Sequence, residues 1–181
     1  MQIKVSGLVI ECVSGDIAGQ TGIDAVVNAA NAQLRSGGGV AGALHRAAGP
    51  GLEEECRPLA PIKPGQAVIT GGHNLPNSYV IHCLGPVYGV DQPEDQLLAS
   101  CYRNALLLAE EHGITSLAFP SISTGVFGYP QEEAASIAFR TVREILPALK
   151  AVKLIRFVLH GSEALSVHEK VLKQVFAETG I

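Results

Sequence analysis

No run of basic residues interrupts this 181-residue sequence, and its formal net charge is −4. A protein that grips duplex nucleic acid needs a basic face to neutralise phosphates, so that electrostatic footprint is absent. Charged residues are also scarce, at 17% against 47% hydrophobic. This balance excludes a disordered chain and suits a globular α/β enzyme or binding module. No apolar stretch reaches the roughly 20 residues that a membrane span needs. The four cysteines, Cys12, Cys56, Cys83 and Cys101, contain no C-x-x-C pair and match no zinc spacing. They read as reduced, mostly buried small apolar side chains, and neither a metal nor a tightly held cofactor is expected. Between Met1 and Gly15, Lys4 and Glu11 interrupt the apolar residues, so the segment reads as a strand and not as a secretory signal. The resulting expectation is a cytoplasmic monomer with neither a nucleic-acid nor a membrane partner.

What is present is a regular alternation of short strands and helices within one domain, 1–181, long enough to bury roughly 70% of its unfolded surface. Ile3–Val13, rich in Val and Ile, predicts a strand, and Gly15-Asp16-Ile17 a turn. Asp24–Asn28 contains a short apolar run typical of a buried parallel strand. Val40–Cys56 predicts a helix in two pieces, broken at Gly49-Pro50-Gly51, with Val40, Leu44 and Ala47 on one face. Ala67–Thr70 and Tyr79–Cys83 read as strands joined by a turn. A long amphipathic helix, Asp95–His112, ends at Gly113, and Ser116–Phe119 is another buried strand. Pro130 sits where a first helical residue is favoured, Gln131–Leu146 is helical and Pro147 ends it. Val152–Leu159 and Glu163–Phe176 are the last strand and helix. This order predicts a three-layer α/β/α sandwich around a mixed, mostly parallel sheet of about six or seven strands, with the first strand antiparallel at an edge.

In such a sheet, ligands bind outside the carboxyl ends of the strands. Two unusual loops leave such ends: Asn28 to Val40, with the triplet Gly37-Gly38-Gly39, and Ser121-Ile122-Ser123-Thr124-Gly125-Val126-Phe127-Gly128. Both are glycine-rich and both feed a predicted helix N-terminus. Glycines let backbone N–H groups approach an anion, and a helix N-terminus adds about 0.3–1 kcal/mol, up to about 2 when partly buried. A diphosphate held between two such loops needs no Lys or Arg. Neither loop has P-loop or dinucleotide-fingerprint spacing, which excludes the ordinary nucleotide hydrolases and dehydrogenases.

The motifs Gly15-Asp16-Ile17, Val27-Asn28-Ala29-Ala30-Asn31, Gly37-Gly38-Gly39-Val40, His45-Arg46-Ala47-Ala48-Gly49-Pro50, Tyr79-Val80-Ile81-His82, Gly85-Pro86 and Phe119–Pro130 follow one another along nearly the whole chain. Together they resemble the macrodomain family, and within it bacterial O-acetyl-ADP-ribose deacetylases and mono-ADP-ribosyl hydrolases. The resemblance implies binding of ADP-ribose, O-acetyl-ADP-ribose and mono-ADP-ribosylated proteins. It implies that Asp16 accepts from the adenine amino group, unless it serves only as a turn or cap, and that the Ile17 backbone meets the ring. His160 either stacks on adenine or is an ordinary exposed side chain. Asn31 holds the distal ribose beside the scissile bond; Asn28 either joins it or braces the loop. Gly38, Gly39, Val40, Ser123, Thr124, Gly125, Val126 and Phe127 line the diphosphate and distal ribose.

One departure concerns Ala41, because the similar hydrolases carry there an Asp thought to orient or deprotonate water, and a methyl group accepts no proton. Other macrodomains, including viral ones with hydrolase activity, also read Gly-Gly-Gly-Val-Ala. Two substitutes remain: the substrate's own diphosphate orients the water while Asn31 fixes the ribose, or His45, four residues on along the same helix face, acts as base. A packing role for His45 is the competing reading. The expected activity is hydrolysis of ADP-ribosyl esters, on O-acetyl-ADP-ribose or on acidic protein side chains. A non-catalytic ADP-ribose reader and an ADP-ribose 1″-phosphate phosphatase are the alternatives.

Overall fold

The computed structural model describes residues 1–178. Seven strands form one sheet: β1 (Gln2–Val5), β2 (Leu8–Ser14), β3 (Ala25–Ala29), β4 (Ala67–Gly71), β5 (Tyr79–Cys83), β6 (Ser116–Phe119) and β7 (Leu154–Leu159). Five helices accompany them: α1 (Gly39–Ala48), α2 (Pro50–Cys56), α3 (Glu94–Glu111), α4 (Gln131–Ile145) and α5 (Ser162–Ala177). The strand order is β1-β2-β7-β6-β3-β5-β4. The five inner strands run parallel, and β1 and β4 pair antiparallel at the two edges. The carboxyl ends of β2, β7, β6, β3 and β5 therefore share one rim, and every loop named above leaves from it.

The side-chain alternation of the inner strands sorts the two cores. Ala25 and Val27 of β3, Leu117 and Phe119 of β6, and Ile155, Phe157 and Leu159 of β7 face the core shared with α3, α4 and α5. Val26, Val80, Ala118 and Val158 face the other way, toward α1 and α2. The first side carries the bulk: Tyr102, Phe119, Phe157 and Phe139 form one ring cluster, with neighbouring centroids 4.7–6.2 Å apart. Each such ring buried from water contributes roughly 1.5–3 kcal/mol. The second side uses small β-branched residues and alanine, which lets α1 and α2 lie close beneath the rim. All four cysteines are unbridged and buried.

Four local expectations need correction. The single strand Ile3–Val13 is a hairpin, because Ser6 (φ 49°) and Gly7 (φ 81°) take the left-handed conformations of a two-residue turn. On α1 the buried residues are Ala41, Gly42, Leu44, His45 and Ala48, while Ala47 is exposed. Pro130 is the residue before α4 and not its first, and the helix gives way at Leu146 to a short 3₁₀ turn. β7 begins at Leu154, two residues later than the apolar run, because Val152 is buried in the loop that precedes it.

Candidate functional site

The loop after β3 is shaped by its own backbone. Asn31 closes it: its Oδ1 accepts the Arg35 N–H at 3.0 Å and its Nδ2 donates to the Arg35 carbonyl at 2.8 Å. Leu34, with φ 53°, is buried at the turn's base, and Leu34 N–H donates to the Asn31 carbonyl. The chain then reaches Gly38, which caps α1 without a side chain to occupy the helix's first N–H groups. Gly39 takes φ 57°, and no acidic residue sits in the first turn. The N–H groups of Gly39, Val40 and Ala41 thus have no intrahelical partner, and α1 presents an uncompensated positive end at the rim. Gly42 makes this possible. A Cβ there would lie 2.2 Å from the Gly37 carbonyl oxygen, so only glycine lets the loop press onto α1.

The loop after β6 is built differently. Ser123, buried and at φ 67°, donates its hydroxyl to the Pro86 carbonyl at 2.8 Å. Gly85 admits that contact, since a Cβ on it would meet Ser123 Oγ at 2.2 Å. Thr124 Oγ1 lies 3.0 Å from the Ser121 carbonyl and 2.9 Å from its hydroxyl. The base is closed by Tyr129 N–H to the Ser123 carbonyl and Gly128 N–H to the Gly125 carbonyl. The tip is open: Val126 is 100% exposed, and the N–H groups of Gly125, Val126 and Phe127 make no hydrogen bond among the described residues. The loop feeds a helix as expected, but the terminus of that helix does not reach the tip. Gly128, Tyr129 and Pro130 separate this tip from α4, whose first turn already holds Glu132 and Glu133. Its dipole is answered by carboxylates, so this loop offers an anion only its backbone.

The structure gathers the expected residues on one layer. Ile17, Leu34, Leu44 and Val158 are buried together there, with Ala18, Val40 and Phe127 packed partly exposed against them. Asp16 caps the short 3₁₀ turn Ile17–Gly19 by accepting from Ala18 N–H at 2.9 Å, and its side chain stays exposed. Sequence reasoning missed what holds this turn. Gln20 donates to the Asp16 carbonyl at 2.7 Å and accepts from Arg156, which is itself paired with Glu11 at 2.6 Å. His160 is exposed just past β7, beside Gly161.

Asn28 and His45 lie deeper. Asn28 is 1% exposed, and its Nδ2 donates to His82 Nδ1 at 3.1 Å on the neighbouring strand β5. The remaining ring proton then sits on Nε2, 2.9 Å from Thr70 Oγ1, whose hydroxyl donates to the Gly71 carbonyl. Burial, reinforced by nearby His45, drives His82 down to about 3, so the ring is neutral and braces β3, β5 and β4. No local signal in the sequence marks His82 for this role, because Asn28 and Thr70 lie 54 and 12 residues away along the chain. The His45 ring is buried beneath α1. Its Nε2 is closed from solvent and has no hydrogen-bond partner among the described residues, and burial lowers its pKa against the opposing pull of Glu53. A hollow of about 260 Å³ beside it is lined by Ser36, Arg46, Pro50 and Glu53. Another of about 480 Å³ lies along β4 and α3, between Ile62, Ala67 and Leu107. Neither is formed by the two glycine loops together. Among the described residues, no three His, Cys, Asp or Glu side chains are grouped as a metal ion would need.

Comparison with known proteins agrees with this geometry. The Macro domain family profile matches residues 27–138. A macro domain-containing protein of Chlorobaculum tepidum is 50% identical, over 91% of this chain and 96% of its own. An O-acetyl-ADP-ribose deacetylase of Klebsiella pneumoniae is 46% identical, over 90% of this chain and 95% of its own. The solved structure of an Oceanobacillus iheyensis macrodomain with ADP superposes with a TM-score of 0.93 at 38% identity, covering 98% of this chain and 97% of that one. On these matches, and on the two glycine loops at a shared rim, the chain belongs to the Macro domain family.

Proposed function

We propose that this protein binds ADP-ribose at the rim and hydrolyses ADP-ribosyl esters, both O-acetyl-ADP-ribose and mono-ADP-ribose on acidic protein side chains. The observation that carries this reading is the pair of unoccupied backbone donor sets, Gly39–Ala41 and Gly125–Phe127, at the ends of neighbouring strands β3 and β6. A diphosphate bridging them completes both sets. The adenine then falls toward Asp16, Ile17 and His160 at the ends of β2 and β7, and the distal ribose toward Asn31 and Phe127. The names carried by the similar deacetylase and by the ADP-bound structure support the ligand and the ester chemistry.

Of the two water-activating routes, the geometry favours the substrate's own diphosphate. His45 lines the hollow of Ser36, Arg46, Pro50 and Glu53, its Nε2 is closed from solvent, and no residue of the loop after β6 borders that hollow. Ala41 is buried and contributes only its backbone. Catalysis then rests on positioning: the loops fix phosphate and ribose so that a phosphate-bound water meets the ester carbon. His45 is a packing residue under α1 in this reading.

The test is release of ADP-ribose from an automodified mono-ADP-ribosyl transferase and of acetate from O-acetyl-ADP-ribose, followed by chromatography. Turnover of both is expected. Micromolar binding of ADP-ribose with no turnover of either ester would leave a reader and remove the catalytic half.

A further inference from the structure

Beyond the loop after β6 the surface changes character. Tyr88, Val90 and Val126 are 39%, 70% and 100% exposed, and they make up three of the five exposed large apolar side chains on the described surface. Their segments are tied together. Tyr88 N–H donates to the Phe127 carbonyl at 2.9 Å, and the Tyr88 and Tyr129 rings pack with centroids 4.9 Å apart. A lone exposed valine needs no explanation, but an apolar strip beside a ligand site marks a contact surface.

The rim of that strip is acidic on both sides. Its two segments run straight into the first turns of α3 and α4, which carry Glu94, Asp95, Glu132 and Glu133, and Asp91 precedes the first of them. From Pro86 to Gln96 and from Pro120 to Glu133 there is no Lys, Arg or His. Of these five carboxylates only Glu132 has a cationic partner among the described residues, Lys170. Asp91 and Asp95 accept only backbone N–H groups, and one oxygen of Glu94 is buried without a hydrogen bond. Burial, then Asp95, Glu94 and Glu133, pushes the Tyr129 hydroxyl up to about 12. Acidic first turns are ordinary helix stabilisers. Two of them flanking an exposed apolar strip, with Lys170 the one cation paired to any of their carboxylates among the described residues, form a surface complementary to a positively charged one.

We infer that this acid-rimmed strip docks the polypeptide bearing the ADP-ribosyl group, and that the segment it accepts is basic, with lysine or arginine next to the modified residue. The inference rests on the reading that the loop after β6 holds the distal half of the ligand. What is attached to the ribose then leaves the site across Phe127, onto Tyr88 and Val90. Substrate choice among modified proteins is set by this charge match, while the free nucleotide ester never touches it.

The experiment compares two synthetic peptides carrying mono-ADP-ribose on a glutamate, one flanked by lysine and arginine and one by glutamate and serine, with free ADP-ribose as control. Binding is measured by calorimetry at low and high salt. The basic peptide is expected to bind about tenfold more tightly than the acidic one at low ionic strength, and the gap should shrink in high salt as exposed charges are screened. A triple variant, Glu94→Gln, Asp95→Asn and Glu133→Gln, is expected to close the gap while leaving free ADP-ribose affinity and O-acetyl-ADP-ribose turnover unchanged. Val90→Ser is expected to weaken both peptides and not the free ligand. Tight binding of free ADP-ribose with no preference between peptides, or a triple variant that preserves the gap, overturns this inference alone. Absence of free ADP-ribose binding removes the site itself, and the inference with it.

Discussion

The two loops at the rim solve one problem in opposite ways. The loop after β3 is anchored along its length: Asn31 bonds both ends of Arg35, Gly37 presses on Gly42, and the chain enters α1 with a free helix terminus. The loop after β6 is anchored at its base, by Ser123 to Pro86 and by Tyr129 to Ser123, and once further out, where Tyr88 N–H donates to the Phe127 carbonyl, while the Val126 side chain stands in solvent. The first supplies a fixed positive end; the second supplies unpaired amides on a tip that packs only through Phe127. A rigid half that sets where the phosphate sits, paired with a loosely held half, suits a ligand that must enter and leave.

The sharpest way to break this comparison is Gly42→Val. The new side chain would overlap the Gly37 carbonyl, so the whole first loop must move. A loss of about 3 kcal/mol of stability, with ADP-ribose affinity falling by about 100-fold, is expected from thermal melts and calorimetry. Unchanged affinity would show that the α1 terminus is not the anchor.

Next in size is the pH response of the brace beneath the first loop. The unfolded chain protonates His82 near pH 6.5, while the folded ring stays neutral down to about 3. Between those values the unfolded state binds more protons, so stability falls as pH drops, by about 2 kcal/mol from pH 7 to pH 5. Buried His45 and His168, both lowered by burial, act in the same direction. Denaturant titrations at pH 7, 6 and 5 measure the slope, and His82→Gln should flatten it. A slope identical in the variant would remove His82 from the account.

At the second loop, Ser123→Ala deletes one hydrogen bond and leaves the Pro86 carbonyl without its hydroxyl donor, costing about 1 kcal/mol with a few-fold weaker binding. The smallest effect belongs to the tip. Val126→Ser should leave the melting temperature unchanged, within about 0.5 kcal/mol, because a fully exposed side chain has no packing to lose. A large destabilisation there would mean that the tip is not free, and the contrast between the loops would vanish.

The sequence by itself determined the α/β/α order, the place of the rim and both glycine loops. These follow from local signals: short β-branched runs, helical periodicity, and Gly or Pro where the backbone must turn. The hairpin at Ser6-Gly7 was legible as well, since Ser-Gly is a turn dipeptide between two apolar runs, and reading Ile3–Val13 as one strand overrides that signal. Only the tertiary structure decided which polar groups remain available. Asn28 meets His82 across 54 residues and Ser123 meets Pro86 across 37, so their engagement is invisible to any local window. The same holds for Gly42 and Gly85, whose need for glycine arises from a second segment pressing against them. A residue's type fixes what it can bond, but burial and the arrival of a distant strand fix what it does bond.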